Sequence, residues 1–154
     1  MTEIYDIDKL DREILRILII DAKKPYTDIA KSLIVSPGTI HVRMKRMERL
    51  GIVKGATLII NPAKIGYDMT AFAGIYLVKG SVYLDVIAEV DKIPEIVEAY
   101  YTTGEYSIFT KIICKNTNHL REVINEKLQT IEGISRTETI ISLGESIKKQ
   151  VHID

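Results

Sequence analysis

The sequence predicts an α+β protein in which an N-terminal winged helix-turn-helix precedes a C-terminal ferredoxin-like βαββαβ domain. Three observations support this: closely spaced helical patterns up to residue 50, a strand pattern directly after them, and alternating strand and helix patterns from residue 67 onward. With 154 residues and 46% apolar composition, the chain can form one domain or two small ones with real cores. We predict the winged helix-turn-helix at 1–60, a linker at 61–66 and the ferredoxin-like domain at 67–154.

The first two helices are predicted from the spacing of their apolar residues. In DIDKLDREILRILIID the apolar residues follow the 3.6-residue period, while Asp8 and Asp11 provide an N-cap and a negatively charged first turn. After AKKP, Thr27 is expected to cap a short second helix, TDIAKSLI, whose Ile29 and Leu33 face inward.

The third helix has an unusually complete set of start signals in SPGTIHVRMKRMERLG, residues 36–51. Ser36 is the predicted N-cap, Pro37 occupies the first helical position, and Val35 can pack against Ile40. Gly51 marks the end of the helix. Two helices joined by a tight turn and preceded by a third indicate a helix-turn-helix.

The strand predictions depend on alternating and β-branched residues. IVKGATLIIN predicts the strand of the wing, which Asn61 and Pro62 close. The later strands are expected at about 69–78, 96–103, 106–114 and 135–143, and the later helices at about 82–91 and 117–129. Because these strands are apolar on both sides and two helices cover only one face of the sheet, we predict at least a homodimer.

The net charge of zero conceals an uneven distribution. Up to residue 64 the chain has 12 Lys and Arg against 8 Asp and Glu, and beyond it 9 against 13. This split indicates that the N-terminal half meets a polyanion. The single cysteine, Cys114, lies in an apolar run, so we expect a packed strand residue. With no spanning apolar stretch and an acidic start, the protein is expected in the cytoplasm, without a membrane partner.

A helical projection assigns separate roles to the residues of the third helix. With Ile40 inward, Met44 and Met47 complete the packing side, and Arg43 lies near its edge. Basic residues near a helix C-terminus also complement the helix dipole, so the face alone does not require a partner. The tight turn, the helix start and the charge split together favour double-stranded DNA. The residues predicted to contact DNA are Ser36, Gly38, Thr39, His41, Val42, Arg43, Lys45, Arg46 and Arg49.

The segment TTGEYS predicts a hairpin turn between two apolar strands, with Gly104 free to adopt a positive φ. Its backbone N–H groups and the hydroxyls of Thr102 and Ser107 could hold a carboxylate and an amide. The simpler interpretation is a hairpin whose strands end in hydroxyl-bearing residues. Elsewhere the sequence offers no nucleophile with a base, no P-loop and no metal-ligand spacing. We therefore expect neither an enzyme nor a cofactor.

Four segments, in this order, resemble the Lrp/AsnC feast-or-famine regulators along nearly the whole chain. They are LDREIL, YTDIAKSLIVSPGTIHVRMKRMERLGIVKGATLIINPAKIGYD, EAYYTTGEYSIF and TETIISL. The resemblance implies a strand linker to an effector-sensing domain, dimers that gather into octamers, and a small amino acid bound between dimers. The implied effector residues are Thr102, Thr103, Gly104, Glu105, Tyr106 and Ser107, with Gln129 and Thr130 from a neighbouring subunit. Ser107 replaces an Asp common in the family, which favours asparagine over leucine.

These observations predict a sequence-specific DNA-binding transcriptional regulator that responds to a small amino acid and controls genes of amino-acid metabolism. Two helices of a dimer would enter successive major grooves, with Lys23, Lys24 and Lys54 adding phosphate contacts. The alternative is an amino-acid-sensing module that regulates a partner enzyme by protein contact.

Overall fold

The computed structural model describes residues 5–154, which divide into two compact units. One comprises the chain up to Ile59 together with Lys148–Asp154, and the other comprises Ile60–Ile147. The predicted C-terminal domain, 67–154, differs from this division because its last seven residues group with the helical unit. No helix within residues 5–154 is long and apolar enough to cross a bilayer.

The helical unit contains α1 (Lys9–Ile20), α2 (Tyr26–Leu33) and α3 (Pro37–Arg49). α1 begins in a capping box: the Asp8 carboxylate accepts the Asp11 N–H at 2.9 Å, and the Asp11 carboxylate accepts the Asp8 N–H at 3.3 Å. The three helices enclose one apolar core, whose buried members are Ile14, Leu15, Ile29, Ala30, Ile40, Met44 and Met47. The packing side predicted for α3 is therefore confirmed.

α2 departs from the sequence prediction at its start. Pro25, not Thr27, is the N-cap of α2, so the predicted start of that helix is wrong. Proline already has the extended conformation that an N-cap requires, and it has no N–H to leave unpaired. At the other end Ile34 adopts a left-handed conformation, with φ of 56°, and is 92% exposed. Ser36 then caps α3 as predicted, accepting the Thr39 N–H at 3.1 Å.

The predicted wing strand does not form in the single chain. Residues 54–60 belong to no sheet, and Leu58 and Ile59 are each 75% exposed. β-branched residues favour an extended backbone, but a strand also requires a neighbour to accept its hydrogen bonds, and the described chain provides none here. A short 3₁₀ helix, Pro62–Ile65, follows.

The second unit is a four-stranded antiparallel sheet with helices, in the predicted βαββαβ order, which confirms the α+β class. The elements are β1 (Met69–Leu77), α4 (Tyr83–Val90), β2 (Ile96–Tyr101), β3 (Ile108–Cys114), α5 (Thr117–Glu122) and β4 (Ile134–Ile141). The sheet order is β2-β3-β1-β4. α5 continues as a π-helical segment, Val123–Leu128.

The two faces of this sheet differ. One face packs under the helices, where Ile75, Ile108 and Ile112 are fully buried with Val86 and Leu128. Cys114 is buried in the same core, as predicted, and burial raises the pKa of its thiol to about 11. The opposite face is uncovered and carries aromatic side chains, among them Phe72 and Phe109 stacked 5.7 Å apart. We call it the open face.

The C-terminal tail contributes to the helical unit. The side chain of Ile153 packs against the helical core, and Arg16 Nε donates to the Ile153 carbonyl at 3.0 Å. These contacts explain why the last residues group with α1.

Candidate nucleic-acid interface and effector turn

α3 presents a polar outer face because its inner face is fully used for packing. Lys45 and Arg49 are exposed and have no ion-pair partner among the described residues. Val42, between them and the helix start, is 65% exposed. Of the other predicted DNA contacts on this helix or its cap, Ser36, Gly38 and His41 are exposed and Thr39 is half-buried.

Two arginines of α3 are held by α1. Asp11 is fully buried, and its carboxylate oxygens lie 3.3 Å from Arg43 Nη1 and 3.3 Å from Arg46 Nη1. Arg43 also pairs with Asp8. The Asp11 N–H and the Arg43 guanidinium lower the pKa of the Asp8 carboxyl. The hydrogen bond to the Asp8 carboxylate in turn raises the pKa of Arg43. We call Asp8, Asp11, Arg43 and Arg46 the arginine clamp.

The arginine clamp changes the prediction for Arg46. The projection placed its side chain facing outward, but the guanidinium reaches back to a buried carboxylate on α1, leaving the side chain 42% exposed. Arg43, predicted near the packing edge, is less exposed at 30%. A projection places the Cα–Cβ direction and not the end of a long side chain, which explains the difference. The role of each residue in contacting DNA remains a prediction.

The turn Thr102–Ser107 joins β2 to β3 and is fixed at its base. The Thr102 N–H donates to the Ser107 carbonyl at 3.1 Å, and the Ser107 N–H donates to the Ile75 carbonyl at 2.9 Å. Gly104 has a φ of 105°, a region that favours glycine. The Thr102 hydroxyl donates to the Tyr106 carbonyl at 2.6 Å. Its proton is therefore already used, and towards a ligand it can only accept.

The tip of the turn keeps its donors unpaired. Within the described residues, the N–H groups of Thr103, Gly104, Glu105 and Tyr106 have no acceptor, and the Ser107 hydroxyl has no partner. Consecutive free N–H groups in a turn form a favourable place for a carboxylate.

Gln129 and Thr130 form no side-chain hydrogen bond with this turn within the described chain. The Gln129 side-chain amide donates to the Thr137 hydroxyl at 2.9 Å, and the Thr130 hydroxyl donates to the Lys127 carbonyl at 2.9 Å. Thr137 of β4 faces Ile75 of β1. Since the Ile75 carbonyl accepts the Ser107 N–H, the Gln129 side chain reaches β4 and the turn reaches β1 near the same end of the sheet.

Tyr106 directs its ring back onto the open face. The ring lies 5.2 Å from that of Tyr76, edge-on, and 5.9 Å from that of Phe109. The Tyr76 hydroxyl donates to Glu138 at 3.1 Å. The Glu138 carboxylate raises the pKa of Tyr106, and burial together with nearby carboxylates raises the pKa of Tyr76. Both phenols are therefore neutral donors at physiological pH.

Sequence reasoning missed Asp11 as an anchor for α3, although two acids in the first turn of α1 were visible as caps. It also missed Gly74 of β1, which lies against the Tyr106 ring, although a glycine inside a strand pattern is itself a signal of such a close approach. Neither contact is local in sequence, so helical and strand periodicity could not reveal its partner. No group of three or more potential metal ligands occurs in the part of the chain that the structure describes.

Comparison with known proteins covers both units. The AsnC-type helix-turn-helix domain matches residues 7–48, and the Lrp/AsnC ligand binding domain matches residues 70–151. The chain is 46% identical over 147 residues to Regulatory protein AsnC of Haemophilus influenzae, covering 96% of this chain and 98% of that protein. It is 44% identical over 149 residues to Regulatory protein AsnC of Escherichia coli, covering 97% and 98%.

The solved structure of E. coli AsnC superposes with a TM-score of 0.90 at 43% identity, covering 96% of this chain and 99% of that one. These relatives are regulatory proteins, which confirms the prediction of a regulator rather than an enzyme. Two matched domains and near full-length identity lead to one conclusion: the chain belongs to the Lrp/AsnC family of DNA-binding transcriptional regulators.

Proposed function

We propose that this regulator acts in the cytoplasm on genes of amino-acid metabolism and that asparagine is its effector. A homodimer presents α3 of each subunit to successive major grooves of double-stranded DNA. The observation that carries the DNA-binding role is the outer face of α3, where Lys45 and Arg49 are exposed without an acidic partner in the described residues.

The arginine clamp supports this mode of binding because it fixes α3 before DNA arrives. The small residues Ser36 and Gly38 allow the helix start to approach the base edges closely, while Lys45 and Arg49 meet phosphates. A helix already held in place loses little freedom on binding.

The DNA-binding face is tested by Lys45→Ala and Arg49→Ala, with Lys92→Ala in the sheet unit as the control. Binding to a genomic fragment selected by the wild type is followed by fluorescence anisotropy over a series of salt concentrations. Loss of one phosphate contact lowers the slope of log affinity against log salt by about one. Unchanged affinity and slope in both α3 variants would reject this face.

The effector proposal depends on the free donors of the turn. The α-carboxylate of asparagine is held by the N–H groups at the tip, and its side-chain amide is held by the Ser107 hydroxyl. Gln129 and Thr130 of a neighbouring subunit complete the site, since in the single chain both side chains form their hydrogen bonds away from the turn. A leucine side chain would leave the Ser107 hydroxyl unpaired, which disfavours leucine.

Calorimetric titration of the full protein with asparagine and with leucine tests the effector. Asparagine should bind and leucine should not. Ser107→Asp removes the hydroxyl that holds the ligand's side-chain amide and brings a second negative charge to the turn that holds the ligand's α-carboxylate. It should therefore weaken asparagine binding at least tenfold, or about 1.4 kcal/mol, with DNA affinity unchanged. Absence of any heat at millimolar asparagine would reject this effector.

The homodimer is supported by two apolar surfaces that the single chain leaves partly or fully exposed. The open face carries the half-buried Phe72, Tyr76 and Phe109, and residues 54–60 have backbone groups without partners in the described chain, beside the exposed Leu58 and Ile59. Octamers formed from such dimers would create the composite effector site. Light scattering with and without asparagine tests the assembly: a monomer at micromolar concentration would reject it.

A further inference from the structure

Gly74, in the middle of β1, lies directly beneath the ring of Tyr106. A Cβ placed on Gly74 would lie 2.3 Å from Tyr106 Cδ1, 2.5 Å from Cε1 and 2.6 Å from Cγ. Real Cβ atoms do not approach other atoms so closely. Gly74 does not have a positive φ, unlike Gly104, so its backbone conformation does not require glycine. Glycine is required because the Tyr106 ring leaves no room for a side chain at this position.

The ring and the backbone of the turn are attached to neighbouring points of the same strand. The Tyr106 ring rests on Gly74, and the next residue, Ser107, donates its N–H to the carbonyl of Ile75. The Tyr106 carbonyl also accepts the Thr102 hydroxyl. A displaced Tyr106 ring would therefore pull on both hydrogen-bonded ends of the turn.

The surrounding side chains leave the ring few alternatives. Phe109 faces Gly74 across the β1–β3 pair, and its ring is 5.9 Å from that of Tyr106. Tyr76 is 5.2 Å away on the same face. With aromatic rings on these sides, the bare backbone of Gly74 is the place where the Tyr106 ring can approach the sheet.

We propose that Gly74 is a positioning residue for the amino-acid effector site: its missing side chain seats the Tyr106 ring and so fixes the turn Thr102–Ser107 with its row of free N–H groups. Gly74 acts through Tyr106 and does not touch the ligand. The inference rests on the proposed function of this turn as the effector site.

The main variant is Gly74→Ala in the full chain, with Gly80→Ala as the matched control because a Cβ at Gly80 would meet nothing within 4 Å. Calorimetry should show asparagine affinity at least tenfold weaker in Gly74→Ala and unchanged in Gly80→Ala. DNA affinity, measured by anisotropy, should stay within twofold of wild type in both. Wild-type asparagine affinity in Gly74→Ala would overturn the proposal.

Tyr106→Ala tests the same seat without introducing a clash and covers the case in which Gly74→Ala does not fold. It should weaken asparagine binding, and the double variant Gly74→Ala/Tyr106→Ala should bind no more weakly than Tyr106→Ala alone. Wild-type affinity in Tyr106→Ala, or additive losses in the double variant, would show that Gly74 does not act through this ring.

Hydrogen exchange separates this proposal from the identity of the effector. In the ligand-free protein the Thr102 and Ser107 amides are hydrogen-bonded, so Gly74→Ala should speed their exchange at least tenfold, whereas Gly80→Ala should not. Unchanged exchange of these amides in Gly74→Ala would overturn the proposal. If the wild type does not bind asparagine but Gly74→Ala still speeds this exchange, only the proposed effector is overturned.

Discussion

α3 and the turn Thr102–Ser107 differ in how completely contacts within their own chain hold them and pair their polar groups. α3 is capped by Ser36, packed on its inner side and held by the arginine clamp. The turn is fixed at its base, but the N–H groups at its tip have no acceptor among the described residues. A helix proposed to bind DNA, a long and stiff polymer, gains affinity from being fixed beforehand, whereas a turn proposed to bind a small ligand must keep donors free until the ligand arrives.

The largest expected effect comes from removing the carboxylate at the centre of the arginine clamp. Asp11→Ala deletes the acceptor of the Asp8 N–H and of two guanidinium groups, so the free energy of unfolding should fall by about 2 kcal/mol. We expect no larger loss of unfolding free energy because both arginine side chains can still reach water after the substitution. Denaturant titration measures it.

Ser107→Ala is the matched change in the turn. The Ser107 hydroxyl has no partner in the described chain, so stability should change by less than about 0.5 kcal/mol while asparagine binding weakens. Equal losses of stability in Asp11→Ala and Ser107→Ala would remove the contrast between the two sites.

A smaller effect is expected at the cap of α3. Ser36→Ala removes the side-chain acceptor of the Thr39 N–H, which then keeps only the Ser36 carbonyl, and should cost about 1 kcal/mol of stability. Ser36→Asp keeps a capping oxygen and should retain stability, but it brings a negative charge to a helix start that we propose faces DNA, so it should weaken DNA binding. If Ser36→Asp bound DNA as tightly as the wild type, the helix start would lie away from the phosphates.

How much the sequence could predict depends on how far apart in the chain the interacting residues lie. The strands of the second unit were predicted within a few residues, since the alternation of side chains is local. The wing strand was wrong because a strand needs a partner that local pattern cannot supply. The contact of Arg46 with Asp11 was missed because the two residues lie 35 positions apart in the chain. Gly74 is explained only by Tyr106, a contact that periodicity does not contain.

The tight turn before α3 offers a stabilising change. Ile34 is a β-branched residue with a φ of 56°, a conformation that costs such residues about 1–2 kcal/mol. Ile34→Gly removes this strain but adds about 0.5–1 kcal/mol of chain entropy in the unfolded state. The net gain in stability should be about 0.5 kcal/mol by denaturant titration. A loss of stability would mean that the exposed Ile34 side chain makes contacts that outweigh its strain.

The smallest effect concerns the exposed acid of the arginine clamp and depends on pH. The folded state lowers the pKa of Asp8 below its ordinary value of 3.8, so this carboxylate adds stability above that value. The contribution is lost as the pH falls through the lowered pKa. Asp8→Asn keeps a capping oxygen and removes the charge. The wild type should therefore be slightly more stable than Asp8→Asn at pH 7, with the difference disappearing in more acidic solution than pH 3.8. A difference that stays constant through this acid range would show that the clamp holds α3 by geometry and not through the charge of Asp8.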